Sequence, residues 1–63
     1  MLHEEVLRVM RMKKYKDGAG VADVVRVTGM DYTLVLCTFE DMRDEGLIVH
    51  VGSGKWKPAE DSR

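Results

Sequence analysis

Two glycines, Gly29 and Gly46, constrain the fold of this chain most, because each follows a segment with helical periodicity. Glycine readily adopts the left-handed backbone conformation that commonly ends a helix, so each one predicts a helix C-terminus. Residues 21–28 are therefore predicted as a short helix. A strand is the rival interpretation, since the segment is rich in β-branched valines. The adjacent pair Val24 and Val25 favours the helix, because strict strand alternation would place them on opposite faces.

The segment between the two glycines is predicted as a longer helix that begins at Asp31. Asp31 is a favourable N-cap, because its carboxylate can accept hydrogen bonds from the free N–H groups of the first turn. Val35, Phe39 and Met42 follow at helical spacing, and Thr38 lies beside them. This stripe is the predicted core face of the helix.

An amphipathic pattern over residues 3–14 predicts a further helix before this unit. Acidic residues in its first turn and basic residues near its end suit the helix dipole. The Asp-Gly-Ala-Gly run at 17–20 then breaks the chain. The apolar stripe of this first helix is predicted to comprise Leu2, Val6, Val9, Met10 and Lys13.

The C-terminal part of the chain predicts a tight β-hairpin. Residues 47–51 are a predicted strand, and the Gly-Ser-Gly turn at 52–54 permits positive backbone φ angles. Residues 55–57 return as a short basic strand that Pro58 is expected to end. Residues 59–63 are expected to form a disordered tail.

Composition limits the class of protein. The chain has 63 residues, a formal net charge of −1 and one cysteine. That length suits one domain that buries only about 60% of its unfolded surface. Cys37 has no partner for an intramolecular disulfide, and His3 and His50 are too far apart in sequence to indicate zinc. No apolar run approaches the roughly 20 residues of a membrane span, and no signal peptide is evident. We therefore expect a cytoplasmic protein without metal or cofactor.

In this order the elements resemble the winged helix-turn-helix superfamily. The resemblance spans residues 2–58 and implies a mainly helical α+β fold, with three helices and a C-terminal two-stranded wing. Residues 1–58 would form the domain. The superfamily includes transcription regulators, replication-factor appendages and protein-binding modules, so the fold alone does not define function. The matching residues are Val24-Val25, Gly29-Met30-Asp31, Val35, Phe39, Met42, Glu45-Gly46-Leu47-Ile48 and Gly52-Ser53-Gly54.

The resemblance implies that the third helix faces the major groove of DNA while the wing touches the backbone or minor groove. Tyr32, Thr33 and Leu36 are then the candidate groove contacts, because tyrosine and threonine can hydrogen-bond and leucine can touch a thymine methyl. The charge of this region opposes that role. Residues 21–48 carry two arginines against six acids, and Glu40 on the third helix would repel phosphates.

Positive charge lies in the segments that flank the acidic region. Lys55 and Lys57 alternate with Trp56, so the two lysines are predicted to point away from the ring. All three are candidate nucleic-acid contacts. The alternatives are solvated lysines and a tryptophan buried in the core. The basic cluster at the end of the first helix is a further candidate nucleic-acid contact. The alternative is that its charges only compensate the helix dipole. The candidates in that cluster are Lys13, Lys14 and Lys16.

These features predict a small nucleic-acid-binding protein, either a DNA-binding transcriptional regulator or a replication or chromatin accessory factor. Its partner would be double-stranded DNA, and its location the nucleoid. The alternative is a protein-interaction module, because Tyr32, Leu34, Leu36 and Cys37 on the third helix are not all needed for one core stripe. Homodimerisation through the first or the third helix is its simplest form. An enzyme with a small-molecule substrate is not expected, since the chain lacks a phosphate-binding loop, a Ser–His–acid set and a metal constellation.

Overall fold

The computed structural model describes residues 2–62, with side chains described for residues 2–60. Three α-helices are followed by one antiparallel β-hairpin, which confirms the predicted three-helix-plus-hairpin layout. The elements are α1 (Leu2–Met10), a 3-10 turn (Lys13–Tyr15), α2 (Val21–Thr28), α3 (Tyr32–Asp44), β1 (Ile48–Gly52), β2 (Lys55–Pro58) and a second 3-10 turn (Ala59–Ser62).

The α2–turn–α3 unit forms at the residues that the sequence predicts. Gly29 and Gly46 both adopt left-handed conformations, with φ angles of 75° and 74°. The Asp31 carboxylate accepts a hydrogen bond from the backbone N–H of Leu34 at 3.2 Å and so caps α3. Residues 21–28 are helical, so the rival strand interpretation is wrong.

One hydrophobic core joins the three helices to the hairpin. The predicted stripe of α3 is buried throughout, and the Thr38 hydroxyl within it donates to the Leu34 carbonyl at 2.8 Å. The predicted stripe of α1 is buried only in its middle, because Leu2 and Lys13 are exposed. The buried hydrophobic residues are Val6, Val9, Met10, Tyr15, Ala19, Val24, Val35, Phe39, Met42 and Ile48.

The first helix is shorter than predicted and ends at Met10. The backbone N–H of Met12 donates to the carbonyl three residues back at 3.1 Å, which is the tighter 3-10 pattern. Met12 itself is extended, with φ −66° and ψ 143°. This change of direction brings Tyr15 into the core at 6% exposure and leaves Lys13 at the surface.

The hairpin is displaced slightly from its predicted bounds. β1 begins at Ile48, one residue later than predicted, and ends at Gly52. β2 ends at Pro58, which pairs with Ile48 as the last residue of the strand, so the strand is one residue longer than predicted. The register slips by one residue between His50 and Gly52, which is a β-bulge.

A third segment pairs with β2 on the side opposite β1. Ala19 and Trp56 exchange two backbone hydrogen bonds of 2.9 Å each. The neighbouring Gly18 has a φ of 119°, and a Cβ placed there would lie 2.9 Å from the Lys55 Cβ. Residues 17–20 therefore do more than break the chain between two helices, since this segment also pairs with β2.

The residues after β2 differ from the expected disordered tail over 59–63. Ala59–Ser62 forms a 3-10 turn, and the Ala59 N–H donates to the Leu47 carbonyl at 2.8 Å. The Arg11 Nε donates to the Glu60 carboxylate at 2.9 Å. Arg63 lies outside the described residues. In the part of the chain that the structure covers, no helix has the length and apolar character needed to cross a bilayer.

Candidate nucleic-acid interface

Three of the predicted lysines meet in one surface depression of about 350 Å³, here called the basic depression. Lys13 and Lys16 come from the first 3-10 turn and the residue after it, whereas Lys57 comes from β2. All three belong to the predicted nucleic-acid contacts. The lining residues are Met10, Arg11, Met12, Lys13, Lys16 and Lys57.

The pairing of Ala19 with Trp56 explains why these lysines are neighbours. It fixes β2 beside the segment that follows Lys16, although the two segments are far apart in sequence. Successive side chains of a strand point to opposite faces. Trp56 contacts the Phe39 ring on one side, so Lys57 is directed to the other side, towards the end of α1.

The lysines of the basic depression have no carboxylate partner within the described residues. Every ion pair in that part of the chain is made by an arginine instead. Their ammonium groups are therefore available to an external anion, whereas the charge of Arg11 at the same depression is compensated by Glu60. The four pairs are Arg8–Glu5, Arg11–Glu60, Arg26–Asp23 and Arg43–Asp44.

Two further candidate lysines lie outside the lining of the basic depression. The Lys14 Nζ lies 5.7 Å from the centroid of the Tyr15 ring, a cation–π contact. Lys55 is exposed at the start of β2, where its Cβ approaches Gly18. Strand alternation directs Lys55 to the same face of β2 as Lys57. Lys55 can therefore extend the positive surface along the strand.

The candidate contacts on α3 form a separate surface. Tyr32 is 54% exposed and Leu36 is 39% exposed, and Thr33 is exposed between them. None of the three lines the basic depression. The structure thus presents these side chains to solvent, as the sequence predicts, but does not bring them together with the lysines around that depression.

Trp56 belongs to the α3 side of the hairpin. Its ring meets Phe39 edge-on, with centroids 6.5 Å apart and planes at 89°, and lies 4.9 Å from the His50 ring. The ring is half-buried and packs against the core, so it anchors β2 more than it offers a free stacking face. It also lines a small cavity of about 120 Å³ between α3 and β2. The cavity is formed by Val21, Leu36, Phe39, Glu40, Arg43 and Trp56.

The exposed charges of α3 are unfavourable for phosphate. Glu40, Asp41 and Asp44 are all exposed, and the one cation of the helix, Arg43, donates to the Asp44 carboxylate at 3.3 Å. Fixed negative charge repels the nucleic-acid backbone, so a phosphate contact is better placed at the lysines than at this helix.

The lysines are recognisable one by one in the sequence, whereas the backbone contact that brings them together is not. The available signal was the small-residue run Gly18-Ala19-Gly20, since glycines often mark a close approach of two backbones.

No group of three His, Cys, Asp or Glu side chains that could hold a metal occurs among residues 2–60. Comparisons of the chain with protein-family models, with curated proteins and with solved structures find no match.

Proposed function

We propose that this chain is a small nucleic-acid-binding protein that holds the phosphate backbone of double-stranded DNA at the basic depression. The observation that carries the proposal is the convergence, from two distant segments, of Lys13, Lys16 and Lys57, which have no carboxylate partner among residues 2–60. Clustered cations that are not neutralised internally provide the charge that phosphate binding needs.

The chemistry of the depression favours binding without sequence preference. Its other lining residues are Arg11, which is paired with Glu60, and the apolar Met10 and Met12. Ammonium groups contact phosphates as point charges and carry little base information. Among these lining residues only Arg11 could read a base edge with two hydrogen bonds, and its guanidinium is held by Glu60. An accessory factor that binds duplex DNA irrespective of sequence, at the nucleoid, fits this surface better than a sequence-specific regulator.

The winged-helix resemblance assigns the major groove to α3, and the proposal departs from it at this point. Tyr32 and Thr33 can hydrogen-bond, but Glu40 and Asp41 follow on the same helix. In the proposed mode the lysines of the basic depression hold the backbone and Lys55 extends the track. The acidic part of α3 stays away from the phosphates.

Paired charge-removal variants test the proposal. Labelled duplex DNA is titrated with the wild type, with Lys13→Gln/Lys57→Gln and with Arg26→Gln/Arg43→Gln, at several salt concentrations. Each double variant removes two positive charges, so net charge is matched. We expect wild-type dissociation constants of about 10⁻⁴ to 10⁻⁶ M and a salt slope that falls by about 2 per bound chain in the lysine variant only. Equal losses in both variants, or no wild-type binding at low salt, would overturn the proposal.

A second comparison separates the basic depression from α3. The variant Tyr32→Ala/Thr33→Ala should retain wild-type affinity for the same duplex, because neither side chain touches a phosphate in the proposed mode. Backbone NMR shifts on addition of DNA should concentrate at residues 11–16 and 55–57 and spare 32–40. Shifts confined to 32–40 would assign binding to α3 and contradict the role of the depression.

A protein-interaction role for α3 is the second candidate function. Tyr32, Leu34 and Leu36 are 54%, 42% and 39% exposed, and such apolar exposure on one helix is typical of interfaces. A partner that is lost on Leu34→Ser/Leu36→Ser but retained on Lys13→Gln/Lys57→Gln would support this role. Loss of the same partner in the lysine variant alone would count against it.

A further inference from the structure

A second surface of the protein is an apolar groove between the end of α1 and the end of α2, here called the α1–α2 groove. Its volume is about 500 Å³. Val9 is buried beneath it at 3% exposure, whereas Met12 and Val27 are 40% and 44% exposed. Met30 is half-buried beside them. Apolar side chains therefore face solvent across the gap between two helices.

Covering such a surface with a partner lowers the free energy of the system. Burial of apolar area is favourable, and a contiguous exposed apolar patch is typical of an interaction site. Two of the lining residues, Met12 and Met30, are flexible and can adapt to the shape of an incoming side chain. The groove thus has the properties of an interface.

Charges at the rim of the groove indicate which partner fits. Glu5 and Arg8 lie one helical turn apart on α1, form an ion pair, and have side chains 46% and 71% exposed. A two-fold axis brings the same surface of two copies face to face, so residue i meets residue j and residue j meets residue i. One acid and one base beside an apolar centre can therefore exchange their ion pair within the chain for two ion pairs across such an axis.

We propose that the α1–α2 groove is the interface of a two-fold symmetric homodimer of this chain. Val27 and Met12 fill the centre, and each Glu5 faces the Arg8 of the other copy. The size of the chain supports the proposal, because a domain of 63 residues has a small core and gains stability from self-association. This inference does not depend on DNA binding.

Met12 also lines the basic depression, so the two surfaces are adjacent. Dimerisation would then present two basic depressions on one particle and double the number of phosphate contacts. This consequence alone rests on the proposed function.

Charge reversal in two separate variants provides the sharpest test. Glu5→Arg and Arg8→Glu each place like charges opposite one another in a two-fold dimer, so each should be monomeric where the wild type dimerises. An equimolar mixture restores opposite charges at both positions of a heterodimer. We expect sedimentation velocity to show dimers in the mixture and monomers in each variant alone. The like-charge pair within each α1 helix persists in the mixture, so the rescue measures only contacts between chains.

A matched pair of valine substitutions locates the interface. Val27→Glu places a charge in the groove, whereas Val51→Glu places the same charge on β1 at a residue that is 43% exposed. We expect Val27→Glu to be monomeric and Val51→Glu to dimerise like the wild type, with circular dichroism confirming that both are folded. A wild type that remains monomeric up to about 1 mM chain would overturn the proposal. So would a mixture of the two charge variants that stays monomeric.

DNA binding and dimerisation can fail separately in these experiments. Lys13→Gln/Lys57→Gln should still dimerise, because neither lysine lines the α1–α2 groove. Val27→Glu should still bind DNA, but with about half of the wild-type salt slope, since a monomer makes half of the phosphate contacts. Loss of dimers in the lysine variant would contradict the assignment of the groove.

Discussion

Gly18 lies where the segment before α2 packs closely against the hairpin. A side chain there would meet the Lys55 Cβ at 2.9 Å and the Val51 Cγ2 at 3.0 Å. Its φ of 119° is also a conformation that residues with a Cβ rarely adopt. The position therefore requires glycine for two independent reasons, its backbone conformation and its neighbours.

Gly18→Ala should destabilise the protein more than Gly29→Ala does. Gly29 is also left-handed, but a Cβ there has no neighbour within 4 Å. We expect Gly29→Ala to lower the free energy of unfolding by about 1–2 kcal/mol through backbone strain alone. Gly18→Ala should lower it by about 1–3 kcal/mol more through overpacking. Urea denaturation of both variants measures the difference. Equal losses of stability in the two variants would mean that the hairpin can shift to accommodate the added Cβ at Gly18 without further destabilisation.

At the scale of elements, α3 has one face that holds the core together and another that contributes little to stability. Met42 is fully buried, whereas Leu34 on the same helix is 42% exposed. Met42→Ala should cost about 2–5 kcal/mol, because it leaves a cavity among packed side chains. Leu34→Ala should change the free energy of unfolding by no more than about 0.5 kcal/mol. Thermal denaturation of the two variants checks this, and similar melting temperatures would contradict the assigned core.

The elements were predictable where their determinants are local. The Asp31 cap and the left-handed glycines Gly29 and Gly46 act within one helical turn, so sequence alone located α2 and α3. The end of α1 was not predictable in this way. Helical periodicity continues past Met10, but burial of Tyr15 requires the chain to turn, and that burial depends on the rest of the fold.

The candidate interface was predictable residue by residue but not as a surface. Lysines can be listed from a sequence, whereas their proximity depends on the backbone pairing of Ala19 with Trp56. That pairing joins segments separated by two helices and has no periodic signature. The opposite orientation of Lys57 and Trp56, by contrast, follows from strand alternation and was predictable from the sequence.

The whole molecule carries its charge unevenly. The net charge of −1 combines an acidic α3 with a basic depression formed by other segments. Net charge therefore says little about what the protein attracts, since the local field at each surface determines encounter with a charged partner. An acidic isoelectric point is compatible with binding of phosphate at one face.

Stability should depend on protein concentration if the proposed homodimer forms. Binding that favours the folded state adds up to about 1.4 kcal/mol per dimer for each tenfold rise in concentration, which corresponds to several degrees for a chain of this size. We expect the melting temperature of the wild type to rise with concentration and that of Val27→Glu to stay constant. Differential scanning calorimetry over a hundredfold range of concentration would show it, and parallel behaviour of the two proteins would argue against the dimer.

The bulge between His50 and Gly52 bears on how the protein avoids aggregation. One edge of β2 is paired with β1 and the other is occupied at Trp56 by Ala19, whereas no strand of the described chain pairs with the outer edge of β1. An open edge is a template on which a further chain can add as a strand. The bulge and the short length of β1 interrupt the regular row of N–H and C=O groups that such an addition needs. The irregular hairpin is therefore a poor template for strand addition.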